Sequence, residues 1–323
     1  MRSTHTALGT ALLAAGALAL AGCGGDTISS EEESGASGVV TFSMTDAPVD
    51  EAHAVVIAMT EFELKPVDGP SFRIPVNEAG RQLDLLQLTN GQSATIIEDE
   101  DIPAGEYEWL RIHFDQAASY VQLEEDGGQY GFFMPSGAQT GYKVVGGLEV
   151  PVNEPVEYIL DFDLRRSLLK HPGMSRGPFG EDRAFLLKPT VRMMNRRITG
   201  GVRGLVAEEL LAMNNVEACG ADGVDAVYAF EGFDVDPLGA GVVPLVSDLV
   251  EPTMDATAYA YVLRFLLPGE YTLGFTCVAN LDDGVVENYP AEGLVFSETA
   301  NVEIVAGEVK SCDLPRPEGA DPC

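Results

Sequence analysis

The chain has 323 residues, with 51 Asp plus Glu against 19 Lys plus Arg and a formal net charge of -32. A body so acidic repels nucleic acid and anionic lipid, which excludes nucleic acid as a partner. Hydrophobic residues make up 46% of it, which is ample for packed cores, excludes a disordered acidic tail, and at this length suits two domains.

Arg2 is followed by an apolar run from Ala7 to Ala21, broken only by small residues, that halts at Cys23. A bilayer span needs about 20 apolar residues, so the run reads as the hydrophobic region of a signal peptide covering residues 1–22. Leu20, Ala21, Gly22 and Cys23 resemble the bacterial lipobox. The resemblance implies that Cys23 is diacylated and holds the protein to the lipid bilayer, because buried methylenes at about 0.8 kcal/mol each make three acyl chains effectively permanent. With Gly24 and not aspartate after the cysteine, it also implies a cell-envelope location in the outer membrane, facing the periplasm or the cell surface. Gly24 to Ser37 is rich in Gly, Ser and Glu, cannot bury enough apolar surface to offset its ordering entropy, and with Cys23 forms a tether over residues 23–37.

Beyond the tether the dominant signal is period-two alternation punctuated by Gly, Pro, Asn and Asp. Strands are expected at Val39–Met44, Val55–Leu64, Tyr107–Phe114, Tyr142–Val150, Tyr158–Leu164 and Phe185–Met193. After Gly200 the pattern restarts, with strands at Gly201–Val206, Ala226–Phe230, Ala258–Phe265, Tyr271–Val278 and Asn301–Val305; Ala207–Met213 reads as a helical turn. In Tyr158–Leu164 the residues Tyr158, Leu160, Phe162 and Leu164 share one face and Ile159, Asp161 and Asp163 the other, the pattern of a half-buried strand. Two strand entrances nearly repeat, IPAGEYEWLRIHF at 102–114 and LLPGEYTLGFTCV at 266–278. In both, a Pro and Gly turn throws the chain into an alternating strand, as at a hairpin or a sheet edge. The fold expected is all-β, two antiparallel β-sandwich domains in series at 38–198 and 199–314, with a tail at 315–323.

Several stretches, in order, carry a particular resemblance: TDAPVDEAHAVVIAMTEFELKP (45–66), LDLLQLTNG (83–91), IPAGEYEWLRI (102–112), PSG followed by GYKV (135–144), LDFDLRRSLL (160–169) and FLLKPTVRMM (185–194). Together they resemble the domain of unknown function 4382 of secreted bacterial and archaeal lipoproteins, over about residues 37–195. The resemblance implies a lipoprotein and brings no activity with it. GGVRGLV (200–206), LLPGEYTLGFTCV and ANVEIVAGEV (300–309) resemble a transthyretin-like, carboxypeptidase-regulatory-like β-sandwich.

Gly173 to Gly177 spell G-x-S-x-G around Ser175. That motif works as a nucleophile elbow only between a strand and a helix, and here prolines and glycines flank it as in a loop, so no catalytic residue is assigned. After processing, His53, His113 and His171 remain, with no zinc-like spacing of His and Cys. For calcium, oxygen donors recur at Glu98–Asp101, Asp234 and Asp236, and Asp282 and Asp283, none in an EF-hand pattern. The best candidates for a ligand or metal are Asp46, Asp50, Asp161 and Asp163, which fall inside the family-like motifs; Asp46 also reads as a turn cap before Pro48. No other cofactor is expected.

From Arg165 to Arg203 there are ten basic residues, opposed by Glu181 and Asp182. Such a segment is either a docking patch for an anionic envelope component or a set of cations that pair with the protein's own acids and fix the two domains against each other. Cys219, Cys277, Cys312 and Cys323 form an even set once Cys23 is lipidated, as in an oxidising compartment. Three pairings are possible; Cys277 lies on the apolar face of its strand, and Cys219 with Cys277, leaving Cys312 with Cys323, is the pairing expected. The function expected is non-catalytic binding or scaffolding of a protein or polysaccharide partner in the envelope. A calcium-dependent or carbohydrate-binding adhesion protein is the alternative, its sugar-binding form favoured by aromatic side chains exposed on one sheet face, and a secreted hydrolase using Ser175 is a third reading.

Overall fold

The computed structural model describes residues 36–323 apart from 48–51, 79–80, 89–90, 124–127, 135–139, 145, 171–182, 189, 283–287 and 318. Fourteen strands lie before residue 196: β1 (Ser37–Ala47), β2 (Ala52–Pro66), β3 (Phe72–Pro75), β4 (Gln82–Asp84), β5 (Ala94–Pro103), β6 (Gly105–Phe114), β7 (Tyr120–Leu123), β8 (Gln129–Phe133), β9 (Tyr142–Val144), β10 (Leu148–Val150), β11 (Val156–Asp163), β12 (Leu168–Lys170), β13 (Arg183–Leu187) and β14 (Val191–Asn195). Eight follow: β15 (Gly200–Val206), β16 (Ala226–Glu231), β17 (Val246–Leu249), β18 (Glu251–Pro252), β19 (Tyr259–Leu266), β20 (Gly269–Thr276), β21 (Glu298–Ile304) and β22 (Val309–Ser311). The protein is all-β, and the stretch read as a helical turn holds two short 3-10 turns, at Glu208–Leu210 and Ala212–Asn214.

The first fourteen strands make two layers. A four-stranded sheet runs β14-β11-β1-β5, and a ten-stranded sheet runs β10-β6-β2-β7-β8-β13-β12 with β3 and β4 added to β2 and β9 to β6. Their inner faces meet in one core, where Phe42 of β1 and Phe62 of β2 pack edge to face at 5.4 Å. The other eight strands make two four-stranded sheets, β18-β19-β15-β22 and β17-β16-β20-β21, around a second core with Val202, Tyr261, Leu273 and Phe275. Residues 35–323 nevertheless form one compact unit.

Most ladders are antiparallel, but β1 with β11, β8 with β13 and β15 with β22 run parallel. The approach of β15 to the chain that follows β22 explains Gly204 of GGVRGLV. A Cβ on Gly204 would stand 1.8 Å from the Cys312 carbonyl oxygen, so only glycine lets the two backbones approach.

The Pro and Gly entrances are not hairpins, although the first leaves from an edge strand, β5. β5 and β6 lie in opposite layers, as do β19 and β20, so each turn carries the chain from one layer to the other. The expected strand Phe185–Met193 is likewise two: β13 belongs to the large sheet and β14 to the small one, with the sequence's proline at 189 between them. Tyr142–Val150 also divides, into β9 and β10.

The acidic run Glu98–Asp101 lies within edge strand β5. Asp99 adopts φ 48°, and its N–H donates to Thr41 Oγ1 at 3.1 Å where the ladder between β1 and β5 breaks register. A bulged edge lined with charge resists pairing with another chain.

Cys219 and Cys277 are bridged, as are Cys312 and Cys323. The first bridge joins the turn after β15 to the end of β20, buried within the second core. No helix among the described residues is long and apolar enough to cross a membrane.

Candidate functional site

Two places gather charge that the fold holds in position. One is the junction between the two sandwiches, where several residues singled out in the sequence come together. The other is the outer face of the large sheet.

At the junction, β11 is buried on both sides. Ile159 is fully buried, Asp161 is 6% exposed, and Ile159, Met194 and Phe265 form a small cluster of their own. This corrects the half-buried reading of Tyr158–Leu164: the face expected to meet water is covered by the second sandwich through Phe265. Asp161 stands opposite Arg192 in the ladder and their side chains pair directly. Burial works against the charge on Arg192, but the carboxylates of Asp161 and Asp163 outweigh it and hold the guanidinium above its ordinary pKa.

Of the other candidate ligands, Asp46 stands opposite Phe162 and one ladder step from both Thr45–Asp161 and Ala47–Asp163. Asp50, Cys23, Ser175 and His171 lie outside the described residues. Among the described residues, no three His, Cys, Asp or Glu side chains group as metal ligands would.

Among the described residues of the basic segment, three cations pair within their own sandwich. Arg196 Nη1 donates to Glu157 Oε1 at 2.7 Å, Arg197 Nη1 to Glu154 Oε1 at 2.6 Å, and Arg192 engages Asp161. Arg196 also lies 5.8 Å over the ring of Phe265, across the junction. From the other side Arg264 presses on Gly91, where a Cβ would come within 2.5 Å of its Cγ. Beside them Asp248 on β17 is 5% exposed and accepts the Val262 N–H at 2.8 Å, beyond the end of the short β18. Burial first, and then the nearby Glu251, push the Asp248 carboxyl up to about 7 against the two N–H donors it accepts.

The outer face of the large sheet follows from alternation. In β6 the residues Tyr107, Leu110, Ile112 and Phe114 turn inward, leaving Trp109, Arg111 and His113 half-buried on the outside. The ladders align Lys65 with Trp109, Glu63 with Arg111 and Glu61 with His113 on one side, and Lys143 with Arg111 on the other. Arg73 of β3 stands beyond Glu63, so one row reads Arg73, Glu63, Arg111, Lys143 across four adjacent strands.

The carboxylates in that row are already engaged. Glu63 accepts from Ser71 Oγ at 2.9 Å, from His113 Nε2 at 2.9 Å and from Arg73 Nη2 at 3.4 Å, while Glu61 pairs with Arg73. Burial raises the Glu63 pKa, but these partners outweigh it and hold the carboxyl below its ordinary value. Gly141, at φ +69°, passes so close to the His113 ring that a Cβ would meet it at 2.9 Å. That close approach holds the imidazole against Glu63.

Among the described residues Arg111 has no carboxylate partner. Its guanidinium stacks 4.7 Å from the Trp109 ring centroid and Nη1 donates to the Thr140 carbonyl at 2.6 Å. Its Nε is the one buried side-chain nitrogen or oxygen among the described residues with no hydrogen-bond partner. The alternating strand was legible in the sequence, but the grouping was not, because Lys143 and Arg73 join only through the ladder. The available signal was the chain's single Trp two residues from an Arg on the polar face of a strand.

Residues 37–189 match the family described as Domain of unknown function (DUF4382). The whole outer face just described lies within that DUF4382 region. No curated protein sequence matches the chain. Solved structures similar to it include the TIE protein of Bacillus anthracis, at 14% identity and TM-score 0.20 over 86% of this chain and 34% of that one. The minor pilin GBS52 of Streptococcus agalactiae is similar at 9% identity and TM-score 0.19, over 87% and 99% of the two chains. The major pilin subunit BcpA of Bacillus cereus is similar at 9% identity and TM-score 0.19, over 86% and 98%. The chain thus spans about a third of the length of the Bacillus anthracis protein.

Proposed function

We propose that this protein is a non-catalytic binding or scaffolding module of the bacterial cell envelope, tethered to the outer membrane by acylated Cys23. It would present the DUF4382 region, followed by a transthyretin-like sandwich from about residue 199, to an envelope protein or polysaccharide. The observation that carries this reading is the outer face of the large sheet. There Trp109, Arg111 and Lys143 are held side by side on adjacent strands of one sheet. Recognition by a stiff surface needs little ordering on binding. A half-exposed tryptophan on a sheet face also supports the carbohydrate-binding reading over the calcium-dependent one.

Membrane fractionation tests the anchor. The wild-type chain should sediment with outer membranes and resist extraction by high salt. Cys23→Ser should leave an unprocessed precursor or a soluble protein. Salt-resistant membrane attachment of the Cys23→Ser chain would sink the lipidation reading.

A further inference from the structure

We propose that Trp109, Arg111 and Lys143 form a binding site for an acidic polysaccharide, in which Arg111 and Lys143 take a carboxylate or sulfate group and the indole takes the apolar face of a sugar ring. The inference rests on the binding-module reading and gives it a site and a ligand class.

The first support is uncompensated charge. In a chain of net charge -32 a cation ordinarily finds an acid, and Glu63 stands directly opposite Arg111 in the ladder. Yet Glu63 is engaged by Ser71, His113 and Arg73. Among the described residues neither Arg111 nor Lys143 has a carboxylate within ion-pair distance, and the two are cross-strand neighbours. Two adjacent like charges on a sheet face repel each other, so their juxtaposition is unfavourable until an anion bridges them.

The second support is the orphaned Arg111 Nε. A buried donor without an acceptor is costly. The side chain is nonetheless held by stacking on Trp109 and by the Thr140 carbonyl, so its position is determined before any ligand arrives. Guanidinium geometry suits planar carboxylate or sulfate oxygens, and preorganisation lowers the entropic cost of binding.

The third support chooses the ligand class. An anionic membrane or a nucleic acid would confront the acidic body over a broad area, which repels it. A polysaccharide strand laid along the sheet meets the local cations, and a pyranose offers a C–H face to the indole that a bare phosphate lacks.

Calorimetric titration of the purified full chain tests this, with polygalacturonate and dextran sulfate as probes, neutral dextran as the uncharged polymer and phosphatidylglycerol vesicles as the anionic surface. We expect binding to at least one of the two charged polymers, weakened by added salt, and none to dextran or vesicles. Arg111→Gln and Lys143→Gln should each weaken binding tenfold or more with the melting midpoint unchanged, and Lys310→Gln, on the second sandwich, should not weaken it. Binding to neither charged polymer, binding to vesicles only, or undiminished binding by the Arg111→Gln/Lys143→Gln double variant would overturn the proposal. Undiminished binding by the double variant would sink this site and leave the binding-module reading standing, since the polymer would then be held elsewhere on the chain.

Discussion

The phenol of Tyr107 donates to the carbonyl of Pro103 at 2.6 Å, four residues upstream. Tyr271 repeats the contact on the carbonyl of Leu267 at 2.9 Å. Both are tyrosine corners, and both stand where the chain leaves one layer of a sandwich for the other. The repeated GEY of the two strand entrances therefore makes the same contact twice, from its tyrosine back to a carbonyl at the change of layer. Tyr107→Phe and Tyr271→Phe should each cost about 1 kcal/mol of stability, the net worth of one hydrogen bond to a carbonyl that water can still reach. Urea denaturation checks this. A loss below the error of the extrapolation at both positions would make the corners incidental. Burial pushes the Tyr107 phenol up to about 12, so its donor persists through the ordinary pH range.

The buried pair Asp161 and Arg192 predicts an asymmetric outcome. Asp161→Asn should destabilise by about 2–4 kcal/mol, because it leaves a mostly buried guanidinium without its counter-charge. The double variant Asp161→Leu/Arg192→Met should recover most of that loss. Chemical denaturation of the three chains reads the difference, and a double variant no better than the single one would show that the pair itself is needed.

Asp248 predicts a pH dependence. Its folded pKa of about 7 lies above the ordinary 3.8. Between those values the folded chain holds a proton that the unfolded chain has released, so stability falls as pH rises through that window. Asp248→Asn keeps an acceptor for the Val262 N–H and removes the charge. It should be near neutral at pH 4 and stabilising at pH 8, by up to about 4 kcal/mol. Equal effects at both pH values would place the Asp248 titration elsewhere.

The bridge between Cys219 and Cys277 spans 58 residues, and that between Cys312 and Cys323 spans 11. On the chain-entropy model they contribute about 4 and about 3 kcal/mol respectively. Non-reducing peptide maps should recover these two pairs, and reduction should lower the melting midpoint.

Sodium chloride should raise the melting midpoint gradually, as screening shortens the Debye length to about 8 Å at physiological ionic strength. Millimolar calcium on a background of high salt should add little, since the Asp161 carboxylate already engages Arg192. A saturable calcium-specific rise, abolished by Asp46→Asn or by Asp161→Asn with Asp163→Asn, would instead establish a dedicated site.

Period-two alternation is a local property, and it alone determined that the chain is all-β and where β1, β2, β6, β11, β15, β16, β19, β20 and β21 lie. Tertiary structure decided everything that depends on what lies opposite a strand. Alternation shows that Ile159 and Asp161 share a face, and cannot show that Phe265 covers it. It separates Trp109, Arg111 and His113 from the core, and cannot show that Glu63 turns to Arg73 while Lys143 joins Arg111. A Pro and Gly turn bends the chain in the same way whether it closes a hairpin or crosses between layers; which one results is set by where the apolar faces on either side find a core, and that is a long-range choice.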